Sequence, residues 1–238
     1  MLIDLHAHTS GISKCCRIAA PEVLVQAKAA GLDGIVLTNH YQNSYICDGQ
    51  QDKFVEDYIA EYLYTKECGE AIGCKVFFGI EVTMELYRNV HILIYGVEPS
   101  FLRENPALFD CTQEELYTLV HENGGAMVQA HPFRNGTSVL DPAFLDGIEI
   151  NCHPKYKTTC KEQLTEIAAQ QGLILTCGGD YHADTYRPQC GTYLPETVSD
   201  PVALGKYLAE TGQIRLRVHE VNEPTYSEME FTKTGGAI

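Results

Sequence analysis

The sequence predicts an α/β fold in which the strands form a closed or nearly closed barrel and helices connect them. Short, nearly continuous apolar runs suit strands that are buried on both faces. Segments with helical spacing of apolar residues separate most of these runs, and this alternation is typical of α/β proteins. The chain has 238 residues, which suits one domain, so we expect a single domain over 1–238.

Seven apolar runs predict the strands. They have four to seven residues each and lie at positions 2–5, 34–38, 75–81, 91–95, 126–129, 147–150 and 173–177. Only about nine residues join the third run to the fourth, which is too few for a helical crossover between parallel strands. We therefore expect an interrupted repeat of strands and helices.

Residues that start and stop helices lie between the predicted strands. Pro21 suits a first helical turn, and Gly31 suits the end of that helix. Thr112 and Glu115 have the spacing of a capping box. Further helices are expected at about 52–72, 158–172 and 200–212. The barrel is thus expected over about 2–212, followed by an acidic, partly disordered tail over about 219–238.

The composition is acidic and excludes some classes of partner. Lys and Arg number 17 against 32 Asp and Glu, which gives a net charge of −15. This balance argues against binding to nucleic acid or to an anionic membrane. No apolar run is long enough to span a bilayer, and the first residues lack the pattern of a signal peptide. The ten cysteines are therefore expected to be reduced thiols in the cytoplasm.

Histidine and acidic residues lie at the ends of the predicted strands. His6 and His8 are two positions apart in the first strand, so their side chains point to the same side. The carboxyl ends of barrel strands are where α/β barrels place their sites. Imidazole with carboxylate suits Zn²⁺, Mn²⁺ or Fe²⁺. The candidate ligands are His6, His8, His40, Glu81, His91, His131, Asp180 and His182.

Five short motifs in this order resemble those of the PHP (polymerase and histidinol phosphatase) superfamily. They are Asp4-Leu5-His6-Ala7-His8-Thr9, Thr38-Asn39-His40, Gly79-Ile80-Glu81, His131-Pro132 and Gly179-Asp180-Tyr181-His182. The resemblance runs from residue 2 to about residue 195. It implies a distorted seven-stranded, TIM-like (β/α)7 barrel and a phosphoesterase site with two or three divalent transition-metal ions.

The resemblance also implies a role for each ligand. One metal ion would be held by His6, His8, Glu81 and Asp180. A second would be held by Glu81, His91 and His131, with Glu81 bridging, and a third by His40 and His182. A hydroxide that bridges two ions would attack the phosphorus atom, as two-metal sites can activate water. His182, His40 and Asp180 are the candidate catalytic residues, with His182 or His40 protonating the leaving alcohol if it is not a ligand.

The sequence departs from the family pattern near the third ion. Asn39 stands where the family usually has Asp, and Ser13 and Lys14 stand where it usually has a further His or Asp ligand. Either the third ion is lost, or Cys15 or Cys16 replaces the missing ligand. The adjacent cysteines alone indicate metal or redox chemistry only weakly, and two ordinary thiols are the alternative.

Basic residues in loops on the same face are candidates for binding a substrate phosphate. Arg134, Lys14, Arg17 and Arg187 are the candidates, because guanidinium groups match phosphate oxygens. A solvated surface charge is the alternative for each of them. His153 follows the sixth strand, where it could contact the substrate or serve packing.

These observations predict a metal-dependent phosphoesterase that hydrolyses a small phosphorylated metabolite. A nuclease or proofreading-type phosphodiesterase and a metal-binding PHP barrel with altered chemistry are the alternatives. An amidohydrolase-type C–N hydrolase also uses a His-x-His pair on a barrel. That class usually requires a carboxylated lysine on a mid-barrel strand, and no lysine stands at such a strand end here.

Overall fold

A computed structural model describes residues 1–156, 158–183, 189–220, 223 and 225–234. Within these residues, eleven strands belong to a single mixed sheet. They are β1 (Leu2–Ala7), β2 (Gly34–Leu37), β3 (His40–Tyr41), β4 (Lys75–Thr83), β5 (His91–Tyr95), β6 (Ala126–Gln129), β7 (Gly147–Asn151), β8 (Ile174–Gly178), β9 (Gly191–Tyr193), β10 (Gln213–Val218) and β11 (Ser227–Thr232).

Six α-helices connect these strands in the described part of the chain. They are α1 (Ala20–Ala29), α2 (Gln51–Ile72), α3 (Ser100–Glu104), α4 (Gln113–Glu122), α5 (Lys161–Gln171) and α6 (Pro201–Glu210). The predicted capping box is present at the start of α4, where Thr112 and Glu115 each accept a hydrogen bond from the other's backbone N–H. Pro21 lies in the first turn of α1, as expected. None of the described helices is long and apolar enough to cross a membrane.

The strand order is β11-β10-β9-β1-β2-β4-β5-β6-β7-β8, with β3 paired to β4. The pairs β1–β2, β2–β4, β6–β7 and β7–β8 are parallel. Strand β5 is antiparallel to both β4 and β6, because the short link at 84–90 reverses the chain without a helix. All seven predicted strands are present, and the sheet is mixed rather than an uninterrupted (β/α) repeat.

The sheet curls until its last parallel strand reaches its first. The segment after β8 bonds to β1, with the Asp180 backbone N–H donating to the His6 carbonyl at 2.7 Å. The Gly179 N–H donates to Asp4 Oδ1 at 2.8 Å. The Cys177 N–H donates to Thr192 Oγ1 at 2.9 Å and links β8 to β9. The result is a nearly closed barrel whose seam lies between β8 and β1.

Part of the acidic tail forms a strand. Strand β11 lies within it and pairs antiparallel with β10 over six residue pairs. Phe231 is buried, and Glu228 accepts a hydrogen bond from the Tyr193 hydroxyl at 2.6 Å. These contacts explain why a Glu-rich segment adds to the sheet, whereas composition alone favoured disorder.

Candidate metal centre

One edge of the sheet gathers the predicted ligands. His6 and His8 lie at the carboxyl end of β1, and Glu81 lies near the carboxyl end of β4. Because β5 runs antiparallel to β4, its first residue, His91, reaches the same edge, and it pairs with Thr83. His40 pairs with Glu81 across β3 and β4. The remaining three, His131, Asp180 and His182, follow β6 and β8 directly.

Glu81 lies at the centre of this group and faces a different set of imidazoles with each carboxylate oxygen. Its Oε2 is 3.4 Å from His6 Nε2 and 3.4 Å from His8 Nε2. Its Oε1 is 2.8 Å from His91 Nδ1 and 3.1 Å from His131 Nε2. The side chain is fully buried. A carboxylate with this surrounding can bridge two cations.

Asp180 provides the second carboxylate. Its Oδ1 is 3.6 Å from His6 Nε2, 3.3 Å from His8 Nε2 and 3.1 Å from His182 Nδ1. Its Oδ2 accepts a hydrogen bond from Arg134. Asp180 has a φ of 51° and His131 a φ of 33°, in the left-handed region that is costly for such residues. Two of the six non-glycine residues with a positive φ in the described part of the chain are thus predicted ligands.

Outer hydrogen bonds fix which nitrogen of each histidine faces the cluster. His6 Nδ1 donates to Glu149 Oε1 at 2.8 Å, so Nε2 is the nitrogen that faces the cluster. The Ser13 hydroxyl donates to Asn39 Oδ1 at 2.8 Å and lies 2.9 Å from His8 Nδ1. Because that hydroxyl hydrogen is already used, Nδ1 of His8 carries the proton and Nε2 is the free acceptor. Ser13 and Asn39 therefore orient the His8 imidazole.

The electrostatics keep the two central carboxylates anionic. Burial alone would raise the pKa of Glu81, but His40, His6 and His91 outweigh it and hold that pKa well below its usual value. Burial is likewise outweighed at Asp180, where the charges of His6, Arg134 and His182 lower the pKa. Burial and the neighbouring His182 and His40 lower the pKa of His8 well below its usual value. Metal ligation needs a neutral imidazole and ionised carboxylates, and these are the protonation states of His8, Glu81 and Asp180.

The donor set fits divalent cations. Among the described residues, His6 Nε2 and His8 Nε2 are buried and make no hydrogen bond, although both point into the cluster. His40 Nδ1 lies 2.6 Å from Glu81 Oε2. Ligands at 2.0–2.1 Å around a tetrahedral Zn²⁺ are about 3.3–3.4 Å apart. The nitrogen–oxygen distances from His6 and His8 to Glu81 and Asp180 are 3.3–3.6 Å, which is long for hydrogen bonds and close to this spacing.

A cleft of about 310 Å³ opens onto the cluster. Arg134 and His153, two of the predicted substrate residues, line it together with Lys155 and Tyr156. The Arg134 guanidinium also donates to Asn151 Oδ1 and lies 3.9 Å from the centre of the Tyr156 ring. Burial is the main cause that lowers the pKa of His153 to about 4, so its imidazole is neutral.

Two other predicted substrate residues, Lys14 and Arg17, do not line this cleft. Lys14 is exposed, with its Nζ donating to the Tyr45 carbonyl at 3.3 Å and lying over the Tyr45 ring. Arg17 is exposed, and its backbone N–H donates to the His182 carbonyl at 2.9 Å. Arg187 lies outside the described residues. The geometry thus favours Arg134 over Lys14 and Arg17 as a group that reaches a molecule in the cleft.

Cys15 lines the same cleft as His40 and His182. Burial opposes the thiolate, but hydrogen bonds with His182 and His40 outweigh it and lower the pKa of Cys15 to about 6. Cys16 differs, because it is buried and its thiol donates to the Ile18 carbonyl at 3.7 Å. Of the two adjacent cysteines, only Cys15 therefore faces the cluster.

Sequence reasoning missed the residues that support the ligands. Glu149 in β7 receives hydrogen bonds from His6, from the His131 backbone N–H at 3.0 Å and from the Asn151 amide at 2.9 Å. Asp4 accepts from the His6 backbone N–H, and burial raises its pKa to about 7. A signal was available, because an acidic residue inside an otherwise apolar strand needs a buried partner.

Comparisons with known proteins show similarity in fold. No family model matches the sequence, and no curated protein matches it. A candidate metal-dependent phosphoesterase from Bifidobacterium adolescentis is 19% identical with a TM-score of 0.54, over 85% of this chain and 93% of that one. PsfC from Pseudomonas syringae is 17% identical with a TM-score of 0.58, over 97% and 91%. An amidohydrolase from Chromobacterium violaceum, solved with sulfate and no metal, is 16% identical with a TM-score of 0.55, over 85% and 94%.

Proposed function

We propose that this protein is a metal-dependent phosphoesterase that hydrolyses a small phosphorylated metabolite. The observation that carries the proposal is the pair of buried carboxylates, Glu81 and Asp180, held 3.3–3.6 Å from the inward nitrogens of His6 and His8. We interpret the architecture as a distorted (β/α)7 barrel of the PHP type, extended by β9, β10 and β11. The expected setting is the cytoplasm, where free thiols remain reduced.

The proposed ligands form two overlapping sets that share Glu81. The first set is His6, His8, Glu81 and Asp180, and the second is Glu81, His91 and His131. Zn²⁺, Mn²⁺ and Fe²⁺ all suit such imidazole and carboxylate donors. When bound, two cations would supply activation of water and electrostatic stabilisation of the phosphoryl group.

Arg134 is the proposed anchor for the substrate phosphate. Its side chain is 11% exposed and lines the cleft, so its charge is close to the reacting group and partly shielded from solvent. Asp180 and Asn151 hold the guanidinium in place, and the Tyr156 ring supports one of its faces. A pre-positioned guanidinium loses little side-chain entropy when it binds phosphate oxygens.

Two roles fit His40 and His182, and they exclude each other. Burial disfavours the charged form of His182, but Asp180 outweighs it and raises the pKa to about 11, so the ring can donate a proton to a leaving alcohol. A ring nitrogen that binds a cation cannot carry that proton. The choice between donor and ligand decides how many cations the site holds.

The size and charge of the site favour a small substrate over a nucleic acid. A cleft of about 310 Å³ is at the low end of the range for small-molecule sites. The net charge of −15 disfavours a polyanionic chain. An amide or other C–N bond is the second candidate, because one protein of similar fold is an amidohydrolase.

The decisive experiment is hydrolysis by protein reconstituted with Zn²⁺ or Mn²⁺. Three substrate panels are compared: small sugar and amino-alcohol phosphates, a single-stranded oligonucleotide, and small amides and lactams. We expect release of inorganic phosphate from at least one phosphomonoester, with lower kcat/KM for the other two panels. Glu81→Gln should lower this activity by about 10²- to 10⁴-fold. Glu85→Gln, at an exposed residue four positions away, should retain it. Faster turnover of the oligonucleotide or of an amide would refute the assignment.

A further inference from the structure

We propose that Cys152, Cys177 and Cys190 form a second metal site, which binds a soft, thiophilic cation of the Cu⁺ class through three sulfur atoms. This three-sulfur site is separate from the imidazole and carboxylate centre, so the inference goes beyond the proposed function and does not depend on it. It assigns a role to buried thiols that hydrolysis does not use.

The three thiols come from different segments of the chain and meet in the interior. Cys152 directly follows β7, Cys177 lies in β8, and Cys190 directly precedes β9. All three side chains are buried. The sulfurs of Cys152 and Cys177 are 3.6 Å apart although the residues are 25 positions apart, and all three sulfurs lie within 4.8 Å of one another. The fold, and not a short local motif, therefore brings the three sulfurs together.

The three-sulfur site lies on the outer side of the barrel wall. A Cβ atom at Gly178 would meet the side chains of His6 and Glu149, so position 178 of β8 faces the barrel interior. Successive strand residues point to opposite faces, which directs Cys177 away from the histidines. Its thiol donates to the Arg217 carbonyl of β10 at 3.3 Å. The site thus lies between the barrel and the added strands β9 and β10.

The spacing of the sulfurs fits one cation. Sulfurs at about 2.3 Å from a common ion are about 3.8 Å apart in a tetrahedral site and about 4.0 Å apart in a trigonal one. These values lie between the 3.6 Å of the first pair and the 4.8 Å limit of the group. A cation can therefore reach all three sulfurs with only small movements of the side chains.

The ligand type and number favour Cu⁺. Soft thiolate ligands select Cu⁺ and Zn²⁺ over Mg²⁺ or Mn²⁺. Structural Zn²⁺ sites are almost always four-coordinate. Among the residues that the structure describes, no fourth His, Cys, Asp or Glu joins this group. Three sulfurs without a fourth ligand suit the lower coordination number that Cu⁺ accepts.

The surroundings support a sulfur that becomes negatively charged. The His219 backbone N–H donates to the Cys152 sulfur at 3.4 Å, and a hydrogen bond to an ionised acceptor is stronger than one to a neutral acceptor. Binding forms three sulfur–copper bonds and releases the thiol protons to solvent. No electron is transferred, because the cation is supplied as Cu⁺.

Competition for Cu⁺ tests this assignment without an activity measurement. The full-length protein is reduced, stripped of metal and mixed anaerobically with Cu⁺ and bicinchoninate, whose colour reports the Cu⁺ that the protein does not hold. We expect the wild type to retain one Cu⁺ per chain. Loss of an outer partner already weakens metal binding by about 10- to 100-fold, so Cys177→Ser, which removes a direct ligand, should weaken it by at least about 100-fold.

Two control variants separate the group from the other thiols. Cys74→Ser changes a buried cysteine outside the group, and Cys15→Ser changes the cysteine that lines the cleft. Both should retain Cu⁺ as the wild type does. Cys190→Ala repeats the test at the third ligand, and circular dichroism checks that each variant is folded. X-ray absorption of the loaded wild type needs no variant and should show three sulfurs and no nitrogen around copper.

Three results would overturn the assignment. Complete transfer of Cu⁺ from the wild type to bicinchoninate would show that the thiols only pack as small apolar side chains. Nitrogen in the copper shell would place the ion at the histidines. Retention of Cu⁺ by folded Cys177→Ser and Cys190→Ala proteins would exclude the three-sulfur site. The proposed function is tested separately, by hydrolysis with Zn²⁺ or Mn²⁺, and either result can fail without the other.

Discussion

The substitution Glu81→Gln gives the strongest test of the metal centre. Glutamine has nearly the same volume as glutamate but lacks its charge, so the change removes the electrostatic contribution with little change in packing. Glu81 Oε2 lies 3.4 Å from two imidazole nitrogens and Oε1 lies 2.8 and 3.1 Å from two others. One carboxylate is therefore expected to serve both cations.

The expected loss follows from these two contacts. A charge-assisted interaction contributes about 1.5–3 kcal/mol, so the loss of one to each cation costs about 3–6 kcal/mol. At about 1.4 kcal/mol per factor of ten, kcat/KM should fall by about 10²- to 10⁴-fold. Elemental analysis should show less than one ion retained per chain after gel filtration in metal-free buffer.

Glu149→Gln is the matched comparison. Glu149 is also buried and contacts His6, but through Nδ1 on the side away from the cluster. Loss of such an outer partner typically lowers affinity or activity by about 10- to 100-fold, which is less than the loss expected for Glu81. Circular dichroism should confirm that both variants are folded. A folded Glu81→Gln protein with wild-type metal content and activity would refute the bridging role.

Three further predictions address the substrate, the metal and the scaffold. Arg134→Ala should lower kcat/KM by about 10- to 150-fold with metal content unchanged, and Arg134→Lys should retain only part of the lost activity because ammonium lacks the paired donors. An unchanged kcat/KM in Arg134→Ala would show that Arg134 is only a surface charge. Removing the cations with a chelator should lower Tm by roughly 5–10 °C, relative to protein at a free metal concentration of about 100 times Kd. Addition of Zn²⁺ should restore Tm, and scanning calorimetry that shows no shift would contradict metal binding. Thr112→Ala, which removes the cap of α4, should lower Tm by roughly 1–8 °C and leave kcat/KM unchanged; an effect on activity would mean that α4 contributes to the site.

The grouping of the predicted ligands could be predicted because strand ends are easy to locate in this sequence. His6 and His8 end an apolar run, and parallel strands bring their carboxyl ends to one edge of the sheet. His91 reaches the same edge because a short link reverses β5 against β4. In an antiparallel strand such as β5, a histidine at the start of the apolar run therefore lies at the same edge as the histidines that end the parallel strands.

The partners of these ligands could not be predicted in the same way. The contact between Arg134 and Asp180 joins residues 46 positions apart, and that between His6 and Glu149 joins residues 143 positions apart. Neither spacing has a local signature in the sequence. The strand at Gln213–Val218 was not predicted, although its alternation of exposed and buried residues is typical of a strand with one buried face.

The seam between β1 and β8 has a consequence for folding. Gly179 and Asp4, which bond across it, are 175 positions apart in the chain. The proposed first cation would take ligands from both sides of this seam, His6 and His8 on one and Asp180 on the other. It would then act as a reversible cross-link that closes about three quarters of the chain, from His6 to Asp180, into one loop. In the chain-entropy description, a cross-link stabilises more as the loop it closes becomes longer, by about 4.7 kcal/mol for 100 residues. Loading the site would therefore couple the first strand to the last parallel strand, and hydrogen exchange at the amides of Gly179 and Asp180 should slow when the cation binds.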